Sequence, residues 1–161
     1  MTRETRNDLA AGVADEIRAF QTAVDAFDDA VADRLGVNRS DLRCLDVLDR
    51  HGAMTAGELA RASGLTTGAV TRLLDRVERR GYARRVRDSM DRRRVLVELT
   101  PRARELAGEL YGPIAQAGRR GLERYSAEEL TLLRDFFRRA RAFHEERTGL
   151  LTPQPGTRTG A

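Results

Sequence analysis

The chain has no tryptophan and no lysine, and among its 161 residues there are only one cysteine, two histidines and four prolines. Each scarcity excludes something. With Cys44 alone, an intramolecular disulfide is impossible and so is a zinc centre built from several thiolates. His51 and His144 stand far apart, no nucleophile motif accompanies them and no glycine loop of the phosphate-cradling type occurs. No catalytic site, metal site or cofactor is therefore expected. No apolar run approaches the roughly 18 residues that a membrane helix needs, and the opening MTRETRND lacks the apolar centre of a signal peptide. The expected location is the cytoplasm, without membrane contact.

What is there is apolar periodicity and charge. Hydrophobic residues make up 40% and charged residues 34% of the chain, which fits one folded helical domain rather than a disordered chain. The formal net charge is +4, but its distribution says more than its total. From Met1 to Leu35 eight acids face four arginines, a net of −4. From Arg76 to Arg94 nine arginines face three acids, a net of +6. A positive field focused on one central stretch is where a polyanion would dock.

Residues 1–7 show no apolar pattern and are expected to be disordered. From Leu9 to Leu35, apolar residues recur in steps of three or four, the period of a long helix over 8–36 that Gly36 stops. A small domain has little on which to bury so long a stripe, so its outer half is expected to pack against another chain. Asn38 or Ser40 caps a short helix ending at Gly52, and Cys44 within it reads as a small buried hydrophobe. Thr55 with Glu58 forms a capping box for a two-turn helix. After the break at Ser63 and Gly64, Thr66 caps a third helix whose core face is Ala69, Val70, Leu73, Leu74 and Val77. Two short helices joined by a glycine-containing turn form a helix-turn-helix pattern. Then Tyr82 to Arg87 and Val95 to Leu99 read as two strands joined by the polar DSMDRRR. The expected fold is thus mostly α, an α+β winged helix-turn-helix over 38–99 flanked by long helices.

Thr100 and Pro101 open the next long helix, which Gly112 and Pro113 should kink. A second capping box, Ser126 with Glu129, starts a final helix lined by Leu130, Leu133, Phe136, Phe137, Ala140 and Phe143. Together these helices span 101–147, and residues 148–161, rich in proline and glycine, are expected to be a disordered tail.

The motifs ELARASGLTTGAVTRLLDRVERRGYARR and DSMDRRRVLVELTPRA resemble the MarR family of bacterial winged helix-turn-helix transcription regulators, in family order and spacing, within a domain over 8–147. The resemblance implies a homodimer whose first and last helices interlock and whose two winged helices meet a pseudo-palindromic double-stranded DNA operator. On that basis Thr66 to Arg80 is the recognition helix, and Thr66, Thr67, Gly68, Thr71, Arg72 and Arg76 are expected at the DNA. Arginine can bridge a guanine or clamp a phosphate, and threonine can meet a thymine methyl. Asp91 and Arg93 match the family's Asp-x-Arg wing tip, with the arginine in the minor groove and Arg92 and Arg94 on phosphates. Asp75 matches an acid that supports the wing, and Arg85 is its candidate partner.

The function expected is that of a DNA-binding regulator, not an enzyme, most often a repressor released by a small-molecule effector. No ligand-binding residue can be assigned, although Phe20, Phe27, Cys44 and Tyr111 are conceivable pocket walls whose ordinary role is core packing. The alternatives are a thiol switch at Cys44 and a protein-interaction winged helix that does not touch DNA.

Overall fold

In a computed structural model of the chain, residues 5–151 are described. Helix α1 (Arg6–Leu35) starts at Thr5, whose hydroxyl accepts from the Asp8 amide while the Asp8 carboxylate accepts from the Thr5 amide. It ends at Gly36, where a φ of 63° places the backbone in the left-handed region that glycine enters without a Cβ penalty. Helix α2 (Arg39–His51) is capped by Asn38 in a reciprocal box with Asp41. Helix α3 (Ala56–Ser63) has the Thr55–Glu58 box, and α4 (Thr67–Arg79) begins at Thr66, whose hydroxyl accepts from the Ala69 amide at 3.3 Å. Each of these starts satisfies backbone N–H groups that have no partner within the helix.

Strands β1 (Ala83–Arg87) and β2 (Val95–Leu99) pair antiparallel, with Ala83 opposite Leu99 and Arg87 opposite Val95. The first strand starts one residue later than its alternation suggests. Tyr82 is instead spent on the junction: its amide donates to the Val77 carbonyl and its own carbonyl accepts from Thr100. A further bridge ties Met54, before α3, to Val97, so the base of the hairpin is sewn to the helix-turn-helix.

The chain forms two compact units, one through Tyr111 and one from Gly112. In the first, Leu45, Leu48, Leu59, Leu73, Leu74 and Val77 from α2, α3 and α4 close a core over Val97 and Leu99 of β2. A second cluster joins Val31 and Ala32 of α1 to Leu42 of α2, with Phe27 and Tyr111 packed against it. Helix α5 (Pro101–Leu122) continues through Gly112 and Pro113 without ending there. In the second unit, α6 (Ala127–Leu151) opens with the Ser126–Glu129 box and carries no buried residue.

The ends of the chain depart from expectation. Arg6 and Asn7 already belong to α1 because the Thr5 cap precedes them, and residues 148–151 extend α6 instead of starting a tail. Residues 1–4 and 152–161, the rest of the expected disordered ends, lie outside the described residues.

Candidate nucleic-acid interface

The candidate surface is the outward face of α4 together with the hairpin tip. Val70, Leu73, Leu74 and Val77 point into the core, which leaves Thr66, Thr67, Gly68, Thr71 and Arg72 exposed at the N-terminal end of the helix. The Thr71 hydroxyl donates back to the Thr67 carbonyl at 3.0 Å, which keeps its proton occupied and leaves its methyl and lone pairs outward. Arg72 makes no ion pair among the described residues. Gly68 has a negative φ, and a β-carbon built on it would meet nothing within 4 Å. Glycine is therefore not required there by the free fold.

Arg76, expected at the DNA, is engaged elsewhere. Its Nη2 lies 2.6 Å from Oδ1 of Asp41 and its Nε 3.2 Å from Oδ2, a two-point clamp on a carboxylate that is buried in the protein. Donating these hydrogen bonds to Asp41 raises the Arg76 pKa further above its usual value.

At the foot of the wing, Arg85 bridges two turns of α4, with Nη2 3.0 Å from Asp75 and Nη1 on Glu78. Asp75 and Arg85 are thus brought together as expected of a wing support, and Glu78 is an additional partner. Across the hairpin Arg84 meets Glu98, its direct neighbour in the register, at 2.6 Å.

The tip is shaped by its own aspartates. Asp88 accepts from the Met90 amide at 2.8 Å, and Asp91 accepts from the Arg93 amide at 3.1 Å and from Arg93 Nε at 3.2 Å. Because Asp91 uses only Nε, the two terminal nitrogens of Arg93 remain outward, on a side chain that is 93% exposed. Arg92 is exposed beside it. Arg94 turns back towards the body, with Nη2 3.3 Å from Glu58 and Nη1 3.7 Å from Asp88. Glu58, which also accepts from the Thr55 amide and hydroxyl, has its carboxyl held below the usual range chiefly by that backbone hydrogen bond. Beside this clamp lies an open groove of about 520 Å³ lined by His51, Met54, Glu58, Asp88, Arg94 and Leu96 among others.

Of the conceivable pocket walls, Phe27 and Tyr111 meet edge to face at 5.4 Å, and the Tyr111 hydroxyl donates to Asp28 at 2.9 Å. Cys44 belongs to the other core cluster and Phe20 is exposed. Burial pushes the Cys44 thiol up from its ordinary pKa.

Three contacts were not legible as contacts in the sequence: Asp41 with Arg76, Glu58 with Arg94, and Glu78 with Arg85. Asn38 is a cap candidate in the sequence, but nothing there marks Asp41 as its reciprocal partner or as the partner of an arginine 35 residues away.

A helix-turn-helix whose second helix presents its N-terminal end, followed by a hairpin clamped to its base and tipped by an exposed arginine, defines the winged helix-turn-helix class. The comparisons give the family. The MarR family model matches residues 35–94. The chain is 36% identical over 145 residues to the uncharacterized HTH-type transcriptional regulator YcgE of Bacillus subtilis (strain 168), covering 90% of this chain and 94% of the relative. The chain belongs to the MarR family. Among solved structures, a mutant of S. aureus MepR bound to an oligodeoxyribonucleotide is similar with a TM-score of 0.57 and 20% identity, covering 81% of this chain and 96% of that one. NadR in complex with 4-hydroxyphenylacetate is similar with a TM-score of 0.57 and 20% identity, covering 87% and 95%. No helix among the described residues is long and apolar enough to cross a membrane.

Proposed function

We propose that the protein is a homodimeric, sequence-specific DNA-binding transcription regulator, a cytoplasmic repressor that a small-molecule ligand releases from its operator. The observation that carries the reading is the outward end of α4 flanked by the wing: Thr66, Thr67, Gly68, Thr71 and Arg72 are exposed, and so are Arg92 and Arg93. Hydroxyls and a glycine at a helix start suit close approach to base edges and phosphates, and an arginine on a thin hairpin suits the minor groove. The DNA-bound MepR mutant supports the choice of partner, and the NadR complex supports a small molecule as effector.

In a dimer, two such ends would have to meet successive major grooves, separated by roughly one turn of about 34 Å. A ligand that binds one spacing better than another would shift the population between DNA-competent and released states. The reading calls for no metal or cofactor and no catalytic group. The burial of Cys44 and its raised pKa disfavour a thiol switch.

Selection from a random duplex pool, followed by a salt titration of the winning sequence, tests the reading. The expected result is an inverted repeat whose affinity falls steeply with salt as several phosphates release counterions. Failure to enrich any sequence, with only a shallow response to salt, would instead favour a winged helix that binds protein.

A further inference from the structure

We propose that Asp41 is a positioning residue of the DNA-reading helix: it withholds Arg76 from the phosphates and uses it as a strut that fixes α4 against the α1–α2 junction. The inference rests on the DNA-binding reading above and adds a role to a residue that touches no DNA in it.

Asp41 is 1% exposed, the most completely buried charged side chain among the described residues. Burying an ion is costly unless it is paired and hydrogen-bonded, and Asp41 is both. One end of its carboxylate closes the cap of α2 by accepting from the Asn38 amide at 3.3 Å, while both oxygens hold Arg76. Arg76 sits one turn beyond Arg72 on α4, and its side chain is still 40% exposed. A free arginine at that place would reach for DNA backbone whatever the sequence. Bound at two points to a buried carboxylate, it has a fixed geometry and its charge is largely neutralised locally.

Two neighbouring contacts show that the clamp is part of a seam. The Tyr82 hydroxyl donates to the Leu35 carbonyl at the end of α1 at 3.1 Å. The Arg80 guanidinium lies so close over Gly36 that a β-carbon there would come within 2.6 Å of its Nη1. The C-terminal end of α4 and the turn that follows it are therefore held at Asp41, Leu35 and Gly36, through Arg76, Tyr82 and Arg80, while the N-terminal half of the helix is left free to read. A strut of this kind sets the angle at which Thr67, Thr71 and Arg72 are presented, and it removes one cation from the sequence-independent part of binding.

The test is a titration of the full chain, by fluorescence anisotropy over a series of salt concentrations, against two duplexes of about three helical turns. One is selected by the wild-type protein from a random pool and the other is a scrambled copy. In Asp41→Asn the amide oxygen can still accept from Asn38 but the charge that holds Arg76 is gone. Its affinity for the selected duplex should fall about tenfold, its affinity for the scrambled duplex should not fall, and the log–log salt slope should steepen by about one as freed Arg76 gains a phosphate. Arg76→Gln should lower affinity for the selected duplex while leaving the salt slope as it was. Should Asp41→Asn fail to fold, Arg76→Gln and Arg76→Lys decide the matter through the slope alone.

A slope that drops by about one in Arg76→Gln would mean that Arg76 meets a phosphate in the wild type, and it would overturn the proposal. Wild-type behaviour of Asp41→Asn on both duplexes would overturn it as well. Wild-type protein that shows no salt-dependent binding to any duplex would remove the DNA-binding reading, and this proposal with it.

Discussion

Arg93 and Gly68 carry different parts of the proposed reading, and they can be separated. Arg93 is held by its amide and its Nε, so its orientation is set before any DNA arrives, while its terminal nitrogens stay outside. If it reads the minor groove, Arg93→Ala should weaken operator binding by about 1–3 kcal/mol with little change in fold stability. An unaltered dissociation constant would remove the wing tip from the interface. Gly68 tests the opposite logic, because nothing in the free protein needs a glycine at that position. Gly68→Ala should keep or raise thermal stability, by up to about 1 kcal/mol, by reducing the freedom of the unfolded chain. The same methyl group would stand where a DNA backbone approaches, so operator affinity should fall. A variant both more stable and equally tight would show that the open space at Gly68 has no bearing on DNA.

At the level of elements, the wing is held to α3 by one carboxylate that also caps it. Glu58 accepts from Thr55 and pairs with Arg94, and its carboxyl is held below its ordinary value. A depressed carboxylate contributes stability that is complete above the unfolded Glu value of about 4.3 and is lost as pH falls through the lower, folded value. The melting-temperature gap between wild type and Glu58→Gln should therefore be largest near neutral pH and close in acid. A gap of constant size from neutral pH to pH 3 would show that ionisation of Glu58 does not matter. Such local devices were the legible part of the fold: the Thr55–Glu58 and Ser126–Glu129 boxes, the Thr66 cap and the Gly36 and Gly52 stops all depend on neighbours within four residues. The alternation of β2 was equally plain, while the start of β1 was missed by one residue because Tyr82 is spent on the junction. The pairing of Asp41 with Arg76 and of Glu58 with Arg94 spans 35 and 36 residues, and nothing local marks which arginine of so many each acid will take. That is why the sequence offers Arg76 and Arg94 as DNA contacts alongside Arg72, Arg92 and Arg93, whereas in the structure Arg76 and Arg94 turn to distant carboxylates and the other three face outward.

For the whole molecule, the unresolved physical problem is apolar surface. Leu9, Val13, Phe20 and Val24 are exposed along α1, and α6 exposes Leu132, Phe136, Phe137 and Phe143 although it buries nothing. Isolated exposed apolar residues are ordinary, but amphipathic stripes along two long helices are not what an isolated chain in water retains. A second copy of the chain is the proposed cover, which would also place two recognition helices in one particle. Leu132→Glu with Phe137→Glu changes only exposed positions, so it should spare the winged helix while disfavouring association. Analytical ultracentrifugation should find dimers for the wild type and monomers for the double variant. The wild-type melting temperature should rise with protein concentration, and that of the variant should not, because association stabilises by mass action. Deletion from Ser126 onward should give the same monomer by a harsher route, with loss of operator binding in both cases since two half-sites must be engaged together. A monomeric wild type would mean that the DNA-reading unit works alone, and a dimer that survives removal of α6 would mean that the α6 stripe serves some other partner.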